Sequence, residues 1–240
     1  MATSSEAFEY AIKKDVRNNP IVREVDEARQ RLGVDSSTRL VFTVRRLEPR
    51  MGLENLLEAV ALLDDMEGVR VAIAGSGGLT LGDRVDRLGL GDRVELLGRV
   101  SDDDLPLWHK AADLFVLPTV AYEGFGLVTA EALASGTPVV GTPVGATPEL
   151  LEPLDSRLLA RGIDSASLAT AIRTGLRIAQ PALRARCRDY ALARFAWDRV
   201  ISDWSRILED TMLRHRGERE LIEAGDLHRH ATADAPGVAS

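Results

Sequence analysis

Between residues 39 and 180, short runs rich in branched and aromatic residues alternate with helical segments, and this alternation constrains the fold most strongly. The predicted strands are Arg39–Val44, Val69–Ala74, Arg93–Leu97, Asp113–Leu117, Pro138–Val140 and Arg157–Leu159. The predicted helices lie near 53–64, 80–88, 102–112, 126–135, 147–151 and 164–179. Such an order is typical of βαβ units joined by right-handed crossovers. It predicts a doubly wound α/β domain with a mostly parallel sheet.

The two ends of the chain read differently. Residues 1–38 predict a helical extension with helices at Ser5–Arg17 and Ile21–Leu32, the second ending at Gly33. After Pro181 the pattern is again helical to about residue 214. Residues 215–240 lack hydrophobic periodicity and are predicted to be a disordered tail. We therefore expect one domain at 39–214 with extra helices at both ends.

Charge and cysteine content exclude several classes of protein. Lys and Arg number 30 against 37 Asp and Glu, without a basic stripe, so nucleic acid is not an expected partner. Cys187 is the one cysteine, which excludes an internal disulfide framework, and no metal-ligand spacing occurs. No apolar run reaches the roughly 18 residues of a membrane span. We expect a cytoplasmic protein, with peripheral membrane contact left open.

The stretch from Glu123 to Glu131 follows the predicted strand at 113–117 and indicates a ligand site. Gly124 and Gly126 permit close approach of the backbone, and a helix starting near Gly126 presents free N–H groups to an anion. Glu131 falls about five residues into that helix among apolar neighbours, where a carboxylate needs a donor. A pair of ribose hydroxyls would supply one. The alternative is a solvated Glu123 and a Glu131 that only favours the helix dipole.

Arginines follow the first strand. Arg46 precedes a helix opening at residue 52 or 53, so its guanidinium is a candidate to reach the same anion. Arg45 and Arg50 are further cations in this loop, and the alternative for all three is surface pairing with Glu48 or Glu54.

The run Gly75-Ser-Gly-Gly78 does not complete a dinucleotide fingerprint, because Thr80 stands where the third glycine belongs. Its glycines predict a tight turn that leaves room for a ligand. His109, beside Trp108 on a predicted helix, reads as a packing residue.

These loops, in this order, resemble the donor-binding half of the retaining GT-B glycosyltransferases of the large group 1 family, which includes many enzymes of cell-envelope and exopolysaccharide synthesis. The matching text is Val44-Arg-Arg-Leu-Glu-Pro-Arg-Met-Gly-Leu-Glu-Asn-Leu56, Ile73-Ala-Gly-Ser-Gly77, Asp92-Arg-Val-Glu-Leu-Leu-Gly-Arg-Val-Ser-Asp102, Ala111-Ala-Asp-Leu-Phe-Val-Leu-Pro118, Glu123-Gly-Phe-Gly126, Glu131-Ala-Leu-Ala-Ser-Gly-Thr-Pro-Val-Val-Gly-Thr-Pro-Val-Gly145 and Pro148-Glu149. The Glu-x7-Glu spacing of 123 and 131 is the family's signature. The resemblance covers about residues 39–213 and implies a Rossmann-like domain.

The resemblance also implies roles for individual residues. Glu123 would hold the transferred sugar, Glu131 the ribose, and Arg46 the diphosphate leaving group, which makes Glu123 and Arg46 the expected catalytic residues. The loop at Gly98, Arg99 and Val100 would lie along the base. The full expected donor-binding set is Arg46, Arg50, Gly75, Gly77, Arg99, Val100, Glu123, Gly124, Phe125, Gly126, Leu127, Val128 and Glu131. No metal or other cofactor is expected, since Arg and a helix N-terminus can stabilise the departing phosphate.

This sequence departs from the family pattern at two points. Lys is usual where this sequence has Met51, and Arg50 or Arg45 are candidate replacements. A complete enzyme of this type also has an acceptor-binding domain of similar size, which the 38 residues before the first strand do not resemble. We therefore expect a domain that binds a nucleotide-sugar donor and transfers a hexosyl group with retention, once an acceptor domain is supplied by another chain or a missing segment.

Two alternatives remain open. The first is a non-catalytic remnant that binds nucleotide sugar or a partner chain as a scaffold. The second is a nucleotide-sugar epimerase on the same two-half plan, which lacks support because no acid and base pair other than the two glutamates is found.

Overall fold

The computed structural model describes residues 21–233, with side chains described for 24–215. The helices are α1 Ile21–Leu32, α2 Leu53–Ala61, α3 Gly82–Arg87, α4 Leu105–Ala111, α5 Leu127–Ala134, α6 Thr147–Asp155, α7 Ser165–Ile178, α8 Pro181–Phe195 and α9 Trp197–Ala233. The strands are β1 Arg39–Val44, β2 Val69–Ala74, β3 Val94–Gly98, β4 Leu114–Leu117 and β5 Val139–Gly141. Short 3-10 helices occur at Pro49–Met51 and Ser156–Leu158. The chain divides into two compact units, Met1–Arg194 and Phe195–Ser240.

The five strands form one parallel sheet in the order β3-β2-β1-β4-β5. Helices flank this sheet: α1 packs against α4, α4 against α5, and α2 against α7. The predicted doubly wound, Rossmann-like α/β fold is therefore confirmed. Chain order reverses between β1 and β4, and in open parallel sheets a crevice for ligands forms outside the strand ends at such a reversal.

Burial explains why the strands were readable in the sequence. All four residues of β4 are buried, and β1 and β2 each bury four or more residues, because helices cover both faces. The predicted bounds of β1 and β2 are confirmed. The edge strand β3 is only partly buried and begins one residue later than predicted.

The sixth predicted strand, at 157–159, is wrong. Residues Ser156–Leu158 form a 3-10 helix whose N-cap Asp155 accepts a hydrogen bond from the backbone N–H of Arg157. Only Leu159 reaches the sheet, through one isolated bridge to Gly141. Leu158 is buried, Leu159 is half-buried and Arg157 is exposed, and the Asp155 cap holds this segment in a 3-10 turn.

The predicted helix at Ile21–Leu32 is confirmed, and Gly33 follows it with φ 67°. Arg29 ties this helix to the sheet, because its Nη2 donates to Asp113 Oδ2 at 3.0 Å and to the carbonyl of Thr38. The helix predicted at Ser5–Arg17 lies outside the described residues.

Helix α8 (Pro181–Phe195) buries Arg184, Cys187 and Arg188. Arg184 is 6% exposed and Cys187 is fully buried. Arg184 donates to the carbonyls of Ala112 and Lys110, each at 2.7 Å, at the C-terminal end of α4.

Helix α9 continues to Ala233, whereas a disordered tail was predicted from residue 215. Strong helix formers explain the difference at 218–224, where Glu, Arg, Leu and Ala predominate without an apolar stripe. The division of the chain also places α9 in its own unit rather than in the domain predicted at 39–214. Within the described residues, no helix combines the length and apolar character required to cross a bilayer.

Candidate functional site

The loops after β1 and β4 flank the point where strand order reverses, and hydrogen bonds join them. The carbonyl of Arg50 accepts from the N–H of Val120 at 3.0 Å, and Arg50 Nη1 donates to the carbonyl of Tyr122 at 3.1 Å. Gly52 (φ 70°) lies so close to Pro118 that a Cβ would stand 1.8 Å from the Pro118 carbonyl oxygen. The structure therefore brings the two predicted site loops together.

The glycines after β2 serve the neighbouring loop. A Cβ on Gly75, which has φ 145°, would stand 1.8 Å from the carbonyl oxygen of Arg45. A Cβ on Gly77 would stand 2.5 Å from the carbonyl oxygen of Leu47, and these two residues form an isolated bridge. Their close approach is thus to protein backbone, and donor contact by Gly75 and Gly77 stays a prediction.

Helix α5 begins as predicted. Gly126 is its N-cap with φ 72°, and Leu127 is the first helical residue. The first N–H groups of the helix lack partners in its own preceding turn, and the helix dipole favours an anion there. Beside it, Gly124 has open space around its Cα, and Phe125 is 42% exposed. The loop leaves room for a ligand at the amino end of α5, where Val128 lies in the first turn.

The side chain of Glu123 is held at this amino end. Its Oε2 accepts from Arg45 Nη2 at 2.5 Å and from Thr119 Oγ1 at 2.6 Å. A Cβ built on Gly126 would stand 3.8 Å from Glu123 Oε1. Glu123 follows Tyr122, whose φ of 57° places a bulky side chain in the left-handed region, a strained conformation that is typical of functional loops.

The three arginines of the first loop differ in burial. Arg45 is 7% exposed at its side chain and donates to Glu123, whereas Arg46 is 67% exposed and pairs with Glu48 at 3.3 Å. Arg50 also pairs with Glu48, through Nε at 3.0 Å. The surface pairing considered for the arginines therefore holds for Arg46 and Arg50, but not for Arg45. Contact of Arg46 or Arg50 with an anion stays a prediction.

Glu131 is 6% exposed, and among the described residues no hydrogen bond reaches its carboxylate. The nearest titratable group is His109, with Nε2 at 3.9 Å from Glu131 Oε2, beyond hydrogen-bonding distance. Burial, and then the charge of Asp102, raise the pKa of Glu131 to about 7. Glu131 is therefore buried, as expected. None of the described residues supplies the hydrogen-bond donor that such a carboxylate needs.

His109 packs as predicted, between the rings of Phe42 and Phe115 at centroid distances of 5.3 and 5.2 Å. Neither ring nitrogen has a hydrogen-bond partner among the described residues, and burial lowers the pKa of His109 to about 3. Its approach to Glu131 was not found from the sequence, because the two residues lie on different helices.

The loop after β3 contains three further residues that were expected at the site. Gly98 has φ 63°, Arg99 is exposed and Val100 half-buried. The charge of Asp102, which follows this loop, is the second cause of the raised pKa of Glu131, after burial. Contact of this loop with the donor stays a prediction.

Comparisons with known proteins show the family and the fold of this chain. The model of the family described as "Glycosyl transferases group 1" matches residues 24–194. D-inositol 3-phosphate glycosyltransferase of Mycolicibacterium vanbaalenii is 35% identical over 211 residues, which are 80% of this chain and 46% of that protein. The enzyme of the same name from Mycolicibacterium smegmatis is 36% identical over 201 residues, 79% of this chain and 45% of that protein.

A solved structure with the same fold is that of Anabaena Alr3699/HepE in complex with UDP. It superposes with a TM-score of 0.68 at 27% identity, over 80% of this chain and 54% of that one. The sucrose-phosphate synthase of Thermosynechococcus elongatus gives a TM-score of 0.67 at 28% identity, over 79% and 49%. The present chain thus spans about half the length of the relatives that it matches.

Proposed function

Because this chain belongs to the Glycosyl transferases group 1 family, we propose that it is the donor-binding domain of a glycosyltransferase. It binds a nucleoside diphosphate sugar and takes part in the transfer of a hexosyl group with retention. The UDP complex of HepE supports a nucleotide donor, although the base and sugar for this chain are left open. The acceptor domain comes from a separate chain or from a segment outside this sequence.

The observation that carries the proposal is the buried, unpartnered carboxylate of Glu131. A carboxylate removed from water is costly unless donors meet it. A ribose offers two adjacent hydroxyls, which donate to the two carboxylate oxygens. Since Glu131 lies in the second turn of α5, a ribose at that depth places the attached diphosphate near the amino end of the helix.

The remaining roles follow from this placement. Amides at Phe125, Gly126 and Leu127 receive the diphosphate, and Glu123 at the far side receives the sugar. During transfer the bond between the anomeric carbon and the diphosphate oxygen breaks, a bond to the acceptor hydroxyl oxygen forms, and the proton of that hydroxyl passes to the departing diphosphate. Charge therefore develops on the departing diphosphate, where the helix end and Arg46 stabilise it without a metal. For this, the guanidinium of Arg46 leaves its ion pair with Glu48 and binds the phosphate.

Binding experiments on the full 240-residue chain test the proposal. We expect UDP, GDP or ADP, or a glucose conjugate of one of them, to raise the melting temperature saturably, since a ligand specific for the folded state stabilises it. Glu131→Ala abolishes this binding, and Arg46→Ala weakens it roughly tenfold, about 1.4 kcal/mol. Glu152→Ala, which removes an exposed carboxylate of α6, is the matched control and leaves binding unchanged. Unaltered affinity in both site variants contradicts the proposal.

The second candidate is a non-catalytic scaffold derived from such an enzyme, which Met51 in place of the family's usual lysine favours. Transfer assays with and without co-expressed acceptor-domain proteins separate the two. A scaffold binds nucleotide sugar yet transfers nothing in any combination.

A further inference from the structure

We infer that Arg45 is the positioning residue of Glu123: it holds the carboxylate that meets the sugar, and it sets the affinity for the sugar part of the donor rather than for the nucleotide. The inference rests on the proposed function, which places the sugar at Glu123. Arg45 differs in this from its neighbour Arg46, which faces solvent beside Glu48.

Three contacts converge on one nitrogen of Arg45. Its Nη2 lies 2.5 Å from Glu123 Oε2, 2.9 Å from Thr119 Oγ1 and 2.9 Å from the sulfur of Met51. Thr119 Oγ1 also donates to Glu123 Oε2. Arg45 and Thr119 therefore fix the same carboxylate oxygen from two sides. Burial lowers the pKa of Arg45 and the charge of Glu123 raises it, but an arginine of this kind keeps its charge.

The backbone at both ends of the pair is fixed as well. Gly145, with φ 57°, packs so tightly on Glu123 that a Cβ would stand 1.8 Å from the Glu123 carbonyl oxygen. At the other end, Gly75 packs on the carbonyl of Arg45 with the same closeness. The side chains thus meet from two anchored positions, 78 residues apart in sequence.

The contacts of Arg45 and Thr119 leave one oxygen of the Glu123 carboxylate available as an acceptor. Both hydrogen bonds that the described residues make to the Glu123 side chain end on Oε2, and Oε1 faces Gly126 at the amino end of α5. A buried carboxylate without a cation takes up a proton or turns toward water, because an isolated buried charge is too costly. Arg45 keeps the Glu123 carboxylate in place, so that Oε1 accepts a sugar hydroxyl.

The test compares affinities for a nucleoside diphosphate and for its glucose conjugate, measured by calorimetry on the full chain. UDP, GDP and ADP are the probes, and the pair that gives the largest thermal shift is used. We expect Arg45→Met to raise the dissociation constant of the glucose conjugate about tenfold relative to that of the nucleoside diphosphate. The affinity for the nucleoside diphosphate alone stays within about threefold of its original value. Arg46→Met instead lowers both affinities by the same factor.

A rescue variant separates positioning from a merely structural role. Since the Met51 sulfur touches Arg45 Nη2, a lysine at 51 brings an ammonium group to the same oxygen of Glu123. We expect Arg45→Met combined with Met51→Lys to recover most of the lost sugar preference. Should that double variant fail to fold, Arg45→Lys serves instead and retains part of the preference.

Two results overturn the inference. One is an unchanged ratio in Arg45→Met; the other is an equal loss of both affinities that no added cation restores. If the unaltered chain binds none of the probes, the proposed function fails first, and the two failures are thus distinguishable.

Discussion

The imidazole of His109 faces the carboxylate of Glu131 inside the protein, with 3.9 Å between Nε2 and Oε2. Burial acts on the two groups in opposite directions, because it disfavours the charged form of each. The pKa of Glu131 is raised to about 7 and that of His109 is lowered to about 3. Both groups are therefore neutral in mildly acidic solution.

This pair predicts compensating effects of pH on the free energy of unfolding. Glu131 binds its proton more tightly when folded, so its contribution falls as the pH rises from 4.5 to about 7. His109 is protonated more readily when unfolded, so its contribution falls as the pH drops from 6.5 to about 3. Between 4.5 and 6.5 the two slopes cancel. We expect His109→Phe to lose stability toward pH 7 relative to the unaltered chain, and Glu131→Gln to lose stability toward low pH.

Urea unfolding followed by circular dichroism from about pH 4 to 8 measures these slopes, each at most about 1.4 kcal/mol per pH unit. Subtracting the curve of the unaltered chain removes the other titrating groups. Parallel curves for all three proteins contradict the assignment.

Donor binding is predicted to strengthen with pH through the same carboxyl. Two ribose hydroxyls donate to an ionised Glu131, so below its pKa of about 7 the affinity for a nucleotide sugar falls about tenfold per pH unit. Calorimetry with a nucleoside diphosphate glucose at pH 6, 7 and 8 checks this, since its diphosphate has no group that titrates in this range. A flat profile means that Glu131 does not accept the ribose as an ionised group.

Gly145→Ala is predicted to damage the Glu123 loop. The new Cβ meets the Glu123 carbonyl oxygen at 1.8 Å, and φ 57° is unfavourable for alanine. We expect a loss of about 2 kcal/mol or more in the free energy of unfolding, together with weaker binding of nucleotide sugar. Gly91→Ala is the matched control, because its added Cβ would meet nothing within 4 Å. Equal stability of the two variants would falsify the close packing of Gly145.

Gly124→Ala is predicted to separate binding from folding. The space around Gly124 is open, so an added methyl group changes the free energy of unfolding by about 0.5 kcal/mol or less. If a ligand backbone approaches there, the methyl group obstructs it and weakens binding several-fold. Thermal unfolding with and without nucleotide sugar gives both quantities, and unaffected binding removes Gly124 from the contact surface.

Arg184→Ala is predicted to be strongly destabilising. The buried guanidinium caps carbonyls at the end of α4, and its loss leaves those groups without donors. Hydrogen bonds to charged groups contribute about 1.5–3 kcal/mol, so we expect a loss of about 3 kcal/mol. Arg186→Ala, which removes an exposed partner of Asp155, is the control and costs less than about 1 kcal/mol. Similar urea midpoints for the two variants contradict this difference.

Much of the fold was readable because its signals are local. The apolar runs of β1, β2 and β4, and Gly126 before α5, determine their own conformations. Residues 157–159 misled because the apolar Leu158-Leu159 pair resembles a short strand, while the cap from Asp155 decides the backbone. Local patterns therefore predict elements well where the cap is also visible.

The site was only partly readable, since its pairs are distant in sequence. The glycine loop and both glutamates were evident, but neighbouring arginines look alike in the sequence. Successive side chains point in opposite directions on extended backbone, so Arg45 turns inward and Arg46 outward. The direction depends on how the β1 and β4 loops pack, which no local pattern records. His109 and Glu131 meet for the same reason, through the packing of α4 and α5.

The burial of Cys187 allows the opening of helix α8 to be timed by the rate of thiol alkylation. Burial raises the pKa of its thiol to about 12, so the thiolate that alkylating reagents attack is nearly absent while α8 is in place. Modification must wait until the helix detaches, and its rate in excess reagent measures how often that occurs. Cys187 is the one cysteine of the sequence and is buried. A thiol-reactive fluorophore would therefore label a newly introduced surface cysteine alone, and Cys187 need not be replaced.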